Sequence, residues 1–130
     1  MKTVFTNGCF DLLHRGHLEL LKFCRLHGDR VVVGINSDSS IKKIKGSDRP
    51  FNNQSDRKFL LESLIFVDEV VIFEEETPYN LIKCVKPDII VKGGDYSIEE
   101  VVGNDLAKVI IFELLDGYST TQTIQDIVDR

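Results

Sequence analysis

Thr3-Val4-Phe5-Thr6-Asn7-Gly8-Cys9-Phe10-Asp11-Leu12-Leu13-His14-Arg15-Gly16-His17 is followed at helical spacing by Leu18, Leu21, Lys22 and Cys24-Arg25. The first four residues carry apolar bulk without alternation, as a strand covered on both faces does. A loop containing glycine then hands the chain to a helix. Strand, loop and helix make the first half of a βαβ unit, which closes through a right-handed crossover onto a parallel neighbour. Further apolar runs at residues 31–36, 70–73, 89–92 and 109–112 bring the expected strands to five. Helical periodicity lies between them, at Phe59, Leu60 and Leu64 and at Leu81, Ile82 and Val85. The fold class is therefore α/β: one Rossmann-like, doubly wound domain over residues 1–130, with a five-stranded parallel sheet and helices on both faces.

Two helix starts are legible. Ser55 ahead of Asp56-Arg57-Lys58 reads as an N-cap, and Thr77-Pro78 places proline at a first helical position. Residues 41–53, with Lys42, Lys43, Lys45 and Arg49 among Gly, Ser, Asp and Pro, read as a long mobile loop. It is the most basic part of the chain.

Composition narrows the function. With 16 basic against 21 acidic residues and a net charge of −5, the chain is a poor binder of nucleic-acid backbones. Cys9, Cys24 and Cys84 are widely spaced and odd in number, which fits neither a disulfide framework nor a zinc ribbon and suggests a reducing compartment. The apolar segment after Met1-Lys2 is too short for a signal-peptide core or a membrane span, so a cytoplasmic location without membrane contact is expected.

In a doubly wound sheet, ligands bind beyond the carboxyl ends of the strands. There, His14 and His17 flank Gly16 at a helix start, where unpaired N–H groups and a positive partial charge favour phosphate. Gly8 and Gly16 allow an anion to approach the backbone, and two imidazoles can stabilise charge building on a polyphosphate. A zinc site using Cys9, His14 and His17 lacks a fourth ligand. No G-x-G-x-x-G follows the first strand, which argues against a nicotinamide dehydrogenase.

His14-Arg15-Gly16-His17, opening a helix after Asn7-Gly8-Cys9-Phe10-Asp11, resembles the HxGH signature of the nucleotidyltransferase superfamily of cytidylyltransferases and adenylyltransferases. Lys45-Gly46, Arg49-Pro50, Thr77-Pro78, Lys92-Gly93-Gly94-Asp95-Tyr96 and Asp116-Gly117-Tyr118-Ser119-Thr120-Thr121 resemble the adenylyltransferase branch of ADP-heptose synthases. That resemblance implies transfer of AMP from ATP to a sugar phosphate such as heptose 1-phosphate, with release of pyrophosphate. It implies catalytic roles for His14, His17, Lys45 and Arg57. Asn7, Gly8, Cys9, Phe10, Gly16, Gly93, Gly94, Asp95, Tyr96, Ser119, Thr120 and Thr121 would bind nucleotide. Asp11 and Asp38 would orient the site or touch the sugar phosphate. No protein metal site is implied, whereas Mg²⁺ would come with the triphosphate.

A sugar phosphate has its second pKa at about 6, so its dianion can attack without a general base. Relatives are commonly dimers, so a homodimer is expected. The kinase domain often fused ahead of that branch is not in this sequence, and a separate sugar kinase is expected to supply the acceptor. The segment between Gly103 and Lys108 is shorter than is typical of the branch. A CTP-dependent glycerol-3-phosphate cytidylyltransferase is the rival enzyme, disfavoured because Leu114-Leu115-Asp116 stand where that group carries an arginine. A non-catalytic nucleotide-binding module is the rival of another class.

Overall fold

A computed structural model describes residues 1–113. The elements run β1 (Thr3–Gly8), α1 (Arg15–His27), β2 (Arg30–Asn36), α2 (Asp38–Lys45), α3 (Gln54–Glu62), β3 (Glu69–Phe73), α4 (Tyr79–Val85), β4 (Ile89–Gly93), a 3₁₀ turn (Ile98–Glu100) and β5 (Lys108–Phe112). All strand pairs are parallel, in the order β3-β2-β1-β4-β5. The unalternated apolar runs are explained by the two cores they serve. Val4, Val33 and Val91 pack with Leu21 of α1 and Leu61 of α3 on one face. Phe5, Val32 and Ile90 pack with Ile82 of α4 on the other. Successive strand residues thus enter opposite cores, and the α/β architecture is as expected.

Three local expectations are corrected. Residues 41–45 are helical rather than loop: α2 starts where Ser37 Oγ accepts the Ser40 N–H, and it is held down by fully buried Ile41. The cap of α3 is Asn53, whose Oδ1 accepts the Asp56 N–H at 2.8 Å, leaving Ser55 inside the first turn. Pro78 is the residue before α4 rather than its first, with its carbonyl accepting the Ile82 N–H at 2.9 Å. In α2 and α3 a side-chain oxygen caps the helix start, whereas α4 begins one residue after the proline without a side-chain cap.

Candidate active site

β1 and β4 lie side by side, and the chain leaves them toward opposite faces of the sheet, which makes their carboxyl ends the switch point of the fold. A cavity of about 180 Å³ opens there, walled by Asn7, Gly8, Phe10, His17, Lys92 and Gly93.

The loop from β1 to α1 takes an unusual path. Phe10 (φ 49°) and Leu12 (φ 64°) are left-handed, which costs about 1 kcal/mol or more for such side chains. Buried Asp11, between them, offsets that cost: its carboxylate accepts the N–H groups of Phe51 (2.7 Å) and Asn52 (2.9 Å) and faces Arg49 Nε at 3.5 Å. One carboxylate thereby fastens the segment after α2 onto the loop that carries the histidines.

His14 is the N-cap of α1, and its backbone N–H donates to Nδ1 of His17 at 3.3 Å. That bond requires a lone pair on Nδ1 and puts the proton of neutral His17 on Nε2. The two rings stack with centroids 3.8 Å apart and 19° between planes, and Phe10 closes the far side of His17 at 5.2 Å. Burial, then the charges of His14 and Lys45, hold the pKa of His17 down to about 4, and burial lowers that of His14 as well. At neutral pH His17 is an uncharged donor, and an arriving anion would favour its protonated form. Gly16 is buried in the first turn of α1, at the helix start next to both rings.

Lys45 ends α2 and is exposed, as are Lys42 and Lys43. Arg57, expected beside the phosphates, is placed otherwise: it has no solvent exposure and its guanidinium is spent on the protein. Nε donates to Asn52 O (3.0 Å), Nη1 to Cys9 O (2.9 Å) and Asn36 O (2.8 Å), and Nη2 to Asp38 Oδ1 (2.9 Å). It ties the ends of β1 and β2 to the start of α3. Asp38, half-buried, is its carboxylate partner. Cys9 has its carbonyl in this cluster and its Sγ 3.8 Å from Asn36 Oδ1.

At the end of β4, Gly93 lines the cavity and Gly94 turns away with φ 121°, its N–H donating to Phe112 O at 3.0 Å. A side chain at Gly94 would be strained and would put a Cβ 3.0 Å from the Tyr96 ring. Asp95 and Tyr96 are exposed. Lys92 belongs to the Lys92-Gly93-Gly94-Asp95-Tyr96 motif, in which the resemblance implies no site role for it. The structure places it in the cavity wall, half-buried, with a pKa lowered by burial and Nζ 5.1 Å from the Tyr96 ring centre. A lysine near the end of an otherwise apolar strand was the signal available for it. Ser119, Thr120 and Thr121 lie outside the described residues, as do Leu114, Leu115 and Asp116.

The cytidylyltransferase-like family matches residues 5–126. Bifunctional protein HldE of Aliarcobacter butzleri is 57% identical over 130 residues, covering 99% of this chain and 27% of that protein. Bifunctional protein HldE of Helicobacter pylori (strain P12) is 53% identical over 127 residues, covering 97% and 28% respectively. The chain thus spans little more than a quarter of the length of these curated relatives. Among solved structures, a lipopolysaccharide core biosynthesis protein from Thermoplasma volcanium GSS1 superposes with TM-score 0.74 at 29% identity, covering 92% of this chain and 99% of that one. A pantoate-beta-alanine ligase from Francisella tularensis shares the fold with TM-score 0.62 at 16% identity, over 99% of this chain and 72% of that one.

Proposed function

The chain belongs to the cytidylyltransferase-like family, and from that premise we propose that it transfers AMP from ATP to a sugar phosphate such as heptose 1-phosphate, releasing pyrophosphate. The observation that carries this reading is the stacked His14–His17 pair at the start of α1, with His17 in the wall of the cavity at the switch point. In this reading a phosphate oxygen of the acceptor forms a bond to the α-phosphorus while the bond to the β-phosphate oxygen breaks, and the electron pair leaves with pyrophosphate. His17 Nε2–H, the N–H groups of α1 and the ammonium of Lys45 meet the charge that builds on the triphosphate. A single preorganised donor of this kind is worth about 10²–10³ in rate. Arg57, Asp11 and Asp38 act through the loops they hold rather than on phosphate.

Mg²⁺ would come with the triphosphate, as the family resemblance implies. Such an ion would neutralise part of the triphosphate charge, and the protein's part would be to bind phosphate oxygens through His17, the start of α1 and Lys45. ATP and the heptose acceptor are supported by the motifs quoted above, by the identity to the HldE proteins and by the likeness to a lipopolysaccharide core biosynthesis protein. In the same reading the enzyme works in the cytoplasm as a homodimer, downstream of a separate sugar kinase. Among the described residues no helix is long and apolar enough to cross a membrane.

Pyrophosphate release with Mg²⁺, crossing ATP and CTP against heptose 1-phosphate and glycerol 3-phosphate, tests the reading. Release from ATP with the heptose is expected, and His17→Ala should lower it by about two orders of magnitude or more. CTP with glycerol phosphate would replace the acceptor and base; silence in all four would return the chain to a non-catalytic nucleotide binder.

A further inference from the structure

A second cavity, of about 170 Å³, lies across the sheet from the histidines, walled by Asn7, Pro78, Lys92, Tyr96, Glu100 and Val102. It shares Asn7 and Lys92 with the first cavity. Strand alternation explains the sharing. Phe5 and Ile90 enter the core beneath α4, so Asn7 and Lys92, two residues further along the same strands, rise on that face at the sheet's carboxyl edge.

Lys92 has an unusual environment for an ammonium. Among the described residues no carboxylate comes within 4.0 Å of it, and its neighbours are the Tyr96 ring and Cys9. Glu100, in the same cavity wall, has its Oε1 turned to the N–H (3.1 Å) and hydroxyl (2.8 Å) of Ser97. A half-buried cation without a carboxylate loses solvation that, among the described residues, no anion returns. An anionic ligand in the cavity would return it.

The two reactants differ in which face serves them. The triphosphate has His14, His17, the start of α1 and Lys45, all on the α1 face. Joining two polyanions also requires positive charge where they meet, and Lys92 stands at the border of the two cavities. Resting on the nucleotidyltransferase reading, we propose that Lys92 binds the phosphate of the acceptor and that the adjoining cavity takes its sugar. The Tyr96 ring, 45% exposed, offers a face for sugar C–H groups, the Asn7 amide can pair with a hydroxyl, and Pro78 and Val102 form the apolar wall. Asn7 and Tyr96 thereby move from the nucleotide to the acceptor side.

The test is steady-state kinetics with calorimetry on wild type, Lys92→Met and Lys92→Arg, using Mg²⁺-ATP and heptose 1-phosphate. Methionine keeps the apolar stem and removes the charge. The KM for heptose 1-phosphate is expected to rise about tenfold or more in Lys92→Met, as for a lost charge-assisted hydrogen bond, while that for ATP changes less than about twofold. Lys92→Arg should recover most of the loss. An ATP KM that rises as far as the acceptor's would assign the lysine to the triphosphate, and no change in either would return it to a surface role. Each overturns the proposal. If wild type releases no pyrophosphate from any pair, the transferase reading fails by itself; calorimetric binding of heptose 1-phosphate then decides Lys92, and equal or absent binding in wild type and Lys92→Met sinks its role too.

Discussion

Two buried or half-buried cations stand at the carboxyl edge of this sheet, and their surroundings differ in every respect. Arg57, at the ends of β1 and β2, is sealed from solvent and donates to three backbone carbonyls and one carboxylate. Lys92, at the end of β4, faces open cavities with an aromatic ring and no carboxylate against it among the described residues. A cation whose donors are already spent can only hold shape. A cation left with donors to spare is available to a ligand, so the satisfaction of its hydrogen bonds separates scaffold from site better than its charge does.

The largest expected effect attacks the scaffold half of that contrast. Arg57→Met should remove about 3–5 kcal/mol of stability, because the carbonyls of Cys9, Asn36 and Asn52 and the carboxylate of Asp38 lose their donor together. Urea denaturation reads it, and Arg57→Lys should rescue little, since an ammonium lacks the planar fork. A loss below about 1 kcal/mol would break the contrast.

Asp11→Asn is next, at about 2 kcal/mol, because the amide's NH₂ must face one of the two backbone N–H groups the carboxylate now accepts. The same denaturation measurement checks it.

His17 supplies a pH-dependent effect. Its folded pKa of about 4 is below the ordinary imidazole value of 6.5, so the unfolded chain binds the proton more readily between those values. The stability this neutral ring contributes is present above pH 6.5 and is lost as pH falls toward 4, by at most about 1.4 kcal/mol per pH unit. His17→Gln should flatten that part of the pH–stability curve, and a parallel curve would remove the buried neutral imidazole from the account. In Lys45→Ala the His17 pKa should rise, because a neighbouring positive charge is gone; NMR titration of the ring reads the shift.

The smallest effect sharpens the contrast most. Lys92→Met should leave stability within about 1 kcal/mol of wild type, since it removes a cation that strands no carboxylate among the described residues. A loss as large as that of Arg57→Met would show that Lys92 belongs to the scaffold as well.

Much of this arrangement is legible in the sequence, for identifiable reasons. Strands covered on both faces announce themselves as apolar runs, so β2 through β5 are found to within a residue at either end. β1 is read two residues short, because Asn7 and Gly8 continue the ladder with residues typical of turns. α2 escapes because its apolar positions, Ile41 and Ile44, are only two among serines and lysines, and its start depends on a local Ser37–Ser40 bond. The histidine turn is legible from residue type and position. The burial of Arg57 is not, since three of its four acceptors are backbone carbonyls, which every residue has. Lys92 lies within a quoted motif, but only the register of β4 beside β1 reveals that it faces two cavities.

The strand order has a consequence in time. β1 lies at the centre of the sheet, yet its register with β4 joins Val4 to Ile89, so one wall of the histidine cavity is synthesised some 85 positions before the opposite wall. Early pairing of β1 with β2, Val4 beside Val31, can form a nucleus, but its other edge must wait uncovered as the chain leaves the ribosome. The histidine turn therefore exists as one wall first, and it borders a pocket only when a late, long-range contact closes the sheet around it.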